Sequence, residues 1–243
     1  MSEISALTYS SWGQFKADLI PDLFRREEFQ RSRFLFRGQM DSNWKLESSF
    51  DRWFSALNSN LERIQVADQL LAVFKDECER LQIEETIRTN DVSLLALGQH
   101  FGLPTRLLDW TDSPYTAAFF AFSDHISSGA PPGAICLWAL DRNHPIWTKE
   151  MGVEVVNVSY YGNLRLRNQM GSFTLSRTPF SCLEDYVSNC RDSGTPLHKI
   201  ILSTDLAKTA LADLDLMGIN HSRIFPEILG CALASKMRVL LQS

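Results

Sequence analysis

LLALGQHFGLPTRLLDWTDSPYTAAFFAF, Leu94 to Phe122, is the stretch on which the reading of this chain turns. Gln99, His100, Thr105, Arg106, Asp109, Trp110 and Thr111 fall within thirteen positions, and the apolar run Ala117 to Phe122 follows closely. Polar and ionisable groups set against aromatic core residues are costly to bury unless each finds a partner. The segment is therefore either a satisfied internal network or a site, and the density of ionisable groups favours a site.

Within the segment, Val92 to His100 reads as a helix and Phe101 to Asp112 as a loop. Pro114 suits the first position of a helix capped by Ser113, and Tyr115 to His125 continues it; its nearly all-apolar character makes it a buried helix. N-terminal to this, Arg33 to Gln39 (RFLFRGQ) reads as a short strand. Gly38 in it allows a turn or a close approach to a ligand. Asn43 to Arg52 is expected to be an irregular loop with Trp44, Leu46 and Phe50 packed inward. Residues 8 to 29 fit a helix capped by Ser10 or Ser11 and kinked or divided by Pro21. From Leu61 to Arg88 the apolar stripe Leu61, Ile64, Ala67, Leu71, Phe74, Cys78 and Leu81 predicts one long amphipathic helix or two, packed on the core.

The second half changes character. Ser127 to Gly133 is a turn. Ala134–Leu140, Val153–Ser159, Ser172–Ser176 and His198–Ser203 are rich in β-branched and aromatic residues and read as strands. Helices are predicted over Cys182–Arg191, Thr204–Met217 and Glu227–Met237. The fold class is α+β, a helical N-terminal half packed on a strand-rich second half, in a single domain over 1–243 with residues 1–30 as an N-terminal helical extension.

The totals exclude several classes. Of the 243 residues, 44% are hydrophobic and 22% charged, as in an ordinary globular domain. No apolar run approaches the roughly 18 residues of a membrane-spanning helix. The N-terminal MSEISALTYSSW has no basic or apolar leader region, so no signal peptide is expected. Five cysteines (Cys78, Cys136, Cys182, Cys190, Cys231) without a CxxC pair suggest buried thiols in a reducing, cytoplasmic compartment. The net charge of −5 argues against a broad nucleic-acid surface. Arg25, Arg26, Arg31, Arg33 and Arg37, and then Arg165, Arg167 and Arg177, still form local clusters able to hold phosphates, although the run from Arg25 to Arg33 is more commonly a solvated helix face. No Gly-rich phosphate loop, metal-ligand spacing or serine nucleophile elbow is present.

Phe36-Arg37-Gly38, Trp44-Lys45-Leu46 and the block from Gln99 to Thr111 resemble the FRG-domain family, named for its Phe/Tyr-Arg-Gly motif. Arg167 to Phe173 and Ile224-Phe225-Pro226-Glu227 resemble later blocks of that family. The layout is similar to that of ADP-ribosyltransferases: a strand-terminal Arg, a Ser-Thr-Ser element entering a buried helix, and a late Glu. The resemblance implies a split β core and an NAD⁺-dependent ADP-ribosyltransferase-like toxin or antiviral effector, held by an antitoxin or inhibitor protein, with no metal and no membrane. The acceptor would be a macromolecule, RNA or DNA before protein, because Arg33, Phe34, Phe36, Arg37 and Trp44 interleave cations with aromatics.

The resemblance carries the site onto particular residues. Arg37, Thr111 and Glu227 are the catalytic candidates. Arg37, Gly38, His100, Arg106, Asp109, Trp110 and Tyr115 are the NAD⁺-binding candidates, with Gln169 in a substrate-facing loop. Arg37 would grip pyrophosphate or ribose, Thr111 and His100 would fix the ribose or the nicotinamide amide, and Trp110 or Tyr115 would stack on nicotinamide. Glu227 would stabilise the charge that develops at the anomeric carbon. Asp109 departs from the usual serine.

Each residue also has a plainer role. Arg37 could pair with Asp109 or Glu227, Arg106 could pair with Asp109, His100 could be a core histidine, Thr111 could cap the next helix and Glu227 could open one. Two alternative functions stand beside the transferase. One is a non-catalytic nucleotide-sensing or partner-binding module of a defence system; the other is an RNA-binding or nuclease-like effector that does not use NAD⁺.

Overall fold

The computed structural model describes residues 3–23, 33–57, 60–158, 171–225 and 227–242. Its strands are β1 (Ile4–Tyr9), β2 (Phe34–Gln39), β3 (Leu107–Thr111), β4 (Ala134–Asp141), β5 (Val153–Val156), β6 (Gly171–Ser176) and β7 (Leu197–Ser203). They form one sheet in the order β1-β7-β4-β2-β3-β6-β5. β1 runs parallel to β7, and every other pairing is antiparallel.

Helices cover both faces. They are α1 (Trp12–Leu23), α2 (Ser49–Ser55), α3 (Arg63–Cys78), α4 (Glu85–Arg88), α5 (Asp91–His100), α6 (Pro114–Ser128), α7 (Leu183–Asn189), α8 (Ala207–Leu216), α9 (His221–Ile224) and α10 (Ile228–Gln242). The period of two along each strand sorts the core. Phe34, Phe36, Ile135, Leu137, Ile200 and Leu202 face α1, α6, α8 and α10, where they meet Phe15, Ala117, Phe122, Leu211 and Met237. Their sequence neighbours Leu35, Cys136, Trp138 and Leu140 face the other way, against Leu46, Trp147, Leu183 and Tyr186. A smaller cluster of Leu107, Phe173 and Leu175 meets Ala96 of α5. No described helix is long and apolar enough to cross a membrane.

The α+β class holds, and the predicted strands β2, β4, β5, β6 and β7 form. Several expectations are corrected. The helix expected over 8–29 begins at Trp12, because residues 4–9 are a strand completing the sheet edge beside β7. The N-terminal segment is thus part of the fold and no helical extension: Trp12, Phe15 and Leu19 are core residues, and Trp12 Nε1 donates to Asp213 Oδ2 of α8 at 2.7 Å. The strands are also not confined to the second half, since β2 and β3 sit mid-sheet. Residues 107–111, expected in a loop, are β3. Ser49–Arg52, expected to be irregular, belong to α2, and Trp44 is 47% exposed instead of packed inward. Along α3 only Val66 and Cys78 are buried; Leu61, Ile64 and Leu81 stay exposed, so the predicted stripe does not close onto a core. Four cysteines are buried thiols and Cys231 is exposed. Burial pushes Cys136 and Cys182 up to about 12, which keeps them protonated and unreactive at neutral pH. Arg25, Arg26, Arg31, Arg165, Arg167 and Gln169 lie outside the described residues.

α6 rests directly on β2 at Gly38, where a Cβ would lie 2.0 Å from the Ala117 carbonyl oxygen and 3.1 Å from Ala121. The glycine is thus required by helix–strand packing, a different reason from the ligand approach expected of it. Gly38→Ala should lower the unfolding free energy by about 3 kcal/mol in urea titrations. Gly133→Ala, whose new Cβ has nothing nearer than 4.0 Å, should be close to neutral.

His221 is buried between Phe119 and Phe225, and burial lowers its pKa below the ordinary histidine value. The unfolded chain therefore binds the proton more tightly, and stability falls as pH drops below about 6.5. The melting temperature should fall between pH 7.5 and 5.5, and His221→Phe should flatten that slope. The remainder comes from His198, whose pKa burial also lowers.

Candidate functional site

β2 and β3 are neighbours in the sheet, yet one residue pair, Phe36 with Thr111, is all that joins them. Beyond it toward Gly38 the two strands diverge, and the Arg37 side chain fills the gap. Its Nη1 donates to the Asp109 carbonyl oxygen at 2.9 Å and stands 3.6 Å from Asp109 Oδ2. The Arg37 side chain is 23% exposed and that of Asp109 59%, so the pair marks a mouth at the surface. Burial lowers the Arg37 pKa and Asp109 raises it; the guanidinium stays charged throughout. Its Nε finds no acceptor among the described residues. Exposed Arg52 of α2 adds positive charge to the same neighbourhood, and Asp124 of α6 adds negative charge.

A relay holds Asp109 in place. Gln99 Nε2 donates to both of its carboxylate oxygens, at 2.9 and 3.0 Å. Thr105 Oγ1 in turn donates to Gln99 Oε1. Gly102, at φ +91°, ends α5 and returns the chain so that the Leu103 N–H reaches the Gly98 carbonyl at 2.9 Å, setting Thr105 beneath Gln99. Thr111 Oγ1 accepts from the Ser113 N–H at 3.3 Å, and Ser113 caps α6 by accepting from Thr116. Strand, turn and helix entry are thus one hydrogen-bonded unit.

The other candidates are dispersed. Arg106 lies on the face of β3 opposite Asp109 and is not its partner. It is 5% exposed, 3.7 Å from Asp51 Oδ1, and its Nη2 donates to Ser176 Oγ and to the Phe180 carbonyl. Trp110 is buried with its Nε1 donating to Thr174 Oγ1 at 3.0 Å, which removes it as a stacking surface. Tyr115 is half-buried and packs edge-on to Trp12 and Phe15 at the margin of the core. His100 is exposed at the end of α5 beside Phe101, contrary to a core histidine. Glu227 is exposed ahead of α10. The charges that act most on Arg37 are Asp109, Arg52 and Asp124. Phe34 and Phe36 are core residues and Arg33 is paired with Asp141 at 2.8 Å, so of the basic–aromatic set Trp44 keeps a stacking face open. Among the described residues no group of three His, Cys, Asp or Glu is placed to hold a metal ion.

Two contributors escaped the sequence reading, Arg52 and the buried acid Asp51. Gln99 is named in the decisive stretch without a role of its own, because an uncharged amide gives no hint that it will hold Asp109. Ser48-Ser49-Phe50-Asp51 has the spacing of a helix-capping pair, a readable signal for α2. Ser48 Oγ donates to Asp51 Oδ2 at 2.6 Å and accepts from the Asp51 N–H at 3.1 Å. Asp51 Oδ1 accepts from Arg63 at 2.8 Å. One carboxylate thus serves two arginines. Asp51→Asn would remove the buried carboxylate that both share, and should lower the unfolding free energy by roughly 3 kcal/mol in denaturant titrations.

Residues 32–129 match the family model of the FRG domain. The match spans β2 through α6, the elements that build the Arg37 mouth, and supports placing this stretch in the FRG family. No curated protein and no solved structure matches the chain.

Proposed function

We propose that the chain is an NAD⁺-dependent ADP-ribosyltransferase-like enzyme of a toxin or antiviral kind, with its site at the Arg37 mouth. The observation that carries this reading is the divergence of β2 and β3 around a single charged residue. Such a gap between two strands, floored by an arginine with an unanswered Nε–H, suits a pyrophosphate. Arg52 adds a second cation for the same group. The nearly separated sheet halves are in keeping with the split core that the family resemblance implies.

In the reaction the bond from the ribose anomeric carbon to nicotinamide breaks, and its electron pair leaves with nicotinamide. A nucleophile on the acceptor bonds that carbon, and its proton passes to a base. Two carboxylates compete for the supporting role: Asp109, which the geometry sets beside Arg37, and Glu227, which the resemblance favours. Asp109 is already engaged by Gln99 and Arg37, so it serves best by orienting the guanidinium. The acceptor is a macromolecule; Arg52 and exposed Trp44 favour nucleic acid over protein, and a toxin of this kind calls for an inhibitor protein in its own cell.

A second reading, a non-catalytic nucleotide-sensing module, draws on the exposed position of Glu227 ahead of α10. The two separate on labelled NAD⁺ incubated with RNA, DNA and protein pools in turn. The transferase releases nicotinamide and labels one pool, and Arg37→Ala and Glu227→Gln each reduce the rate by about 100-fold or more. Saturable NAD⁺ binding by calorimetry, with neither release nor transfer in any pool, overturns the enzyme and leaves the sensor.

A further inference from the structure

The stripe of α3 that fails to close onto a core instead faces a cavity of about 190 Å³ between α3, α5 and the β3–β6 edge. Its walls are mostly apolar, among them Ile64, Leu71, Leu95 and Leu175. Arg106 stands in the same wall. With Nη2 committed to Ser176 and Phe180, its Nε and Nη1 are buried without an acceptor among the described residues. Buried donors left unanswered are costly. Asp51 does not answer them: one of its oxygens takes Arg63 and the other Ser48. Asp68, exposed at the cavity wall, draws on Arg106 only through its field, and Asp91 is engaged by Lys75 at 2.6 Å. Two guanidiniums thus share one buried carboxylate beside an apolar hollow.

We propose that this cavity is a second binding site, distinct from the Arg37 mouth, for a small monocarboxylate with an apolar body. The carboxylate takes a free N–H of Arg106 as a charge-assisted hydrogen bond, and the hydrocarbon covers the α3 stripe. A charged donor demands an anionic acceptor, and the apolar walls demand a tail, so inorganic anions and neutral alcohols each satisfy half of the site. The proposal does not depend on the transferase reading. Thr105 nevertheless lines the cavity and donates to Gln99, the residue that holds Asp109 beside Arg37.

The full chain is titrated with hexanoate, 1-hexanol and inorganic phosphate, following the methyl NMR signals of Ile64, Leu71, Leu95 and Leu175. Hexanoate should shift them saturably and bind at least tenfold more tightly than hexanol, and phosphate should leave them in place. Ala67→Trp, which fills the cavity from α3 without touching the buried charges, should abolish the shifts while the spectrum of the remaining core is retained. Absence of saturation with hexanoate overturns the site. Equal binding of hexanol removes the role of Arg106, and equal response to phosphate removes the apolar body; either result overturns the proposal as stated.

Discussion

β2 carries no side chain between its backbone and α6 at Gly38, and this close approach sets the geometry of everything around the mouth. The helix presents its Ala117 carbonyl and Ala121 to the strand, nearer than any Cβ would allow. β3 is bound to the same helix from its other end, since Thr111, Ser113 and Thr116 form a continuous capping turn. Two neighbouring strands are therefore fixed to one helix at two different places. They can pair at Phe36 and Thr111 and must then part, and a long cation is the side chain that bridges the opening, its Nη1 bonded to the Asp109 carbonyl.

The alternation of β3 explains why a dense polar block yields two places instead of one. Arg106, Leu108 and Trp110 point to one side of the sheet, and Leu107, Asp109 and Thr111 to the other. Arg106 is carried down among Phe50, Asp51 and Ser176, whereas Asp109 emerges beside Gln99 and Arg37. Residues three apart in sequence end on opposite faces. A salt bridge between them would require helical spacing, and the backbone here is extended.

That also marks how far the sequence could be read. Strands β2, β4 and β7 announce themselves through aromatic and β-branched runs, and α6 through its Ser-Pro entry. β3 was hidden because Asp109 and Thr111 break the apolar appearance of a strand that is half in contact with a polar relay. β1 was hidden because ISALTY gains its identity from β7, whose partner residues stand more than 180 positions later in the chain. The spacing of the α3 stripe correctly located one face of a helix, but spacing carries no information on what covers that face. For the candidate site, Arg37 and Asp109 are legible as chemistry, and their contact is one of the two pairings the sequence offers Arg37. The position of Glu227 relative to them depends on how α9 and α10 pack over α6, which no local pattern encodes.

The pairing of β1 with β7 has a consequence for how the chain is made. The first strand remains without a neighbour until residues 197–203 have been synthesised, because its hydrogen-bonding edge matches only theirs. During translation the α6-facing apolar surface of β2 and β4 can assemble earlier, but one flank of the sheet stays open through most of elongation. Sequence-distant pairings of this kind close slowly, and an unpaired strand edge is an aggregation hazard in the interval. The first strand is thus committed to the fold only when its carboxy-terminal partner arrives.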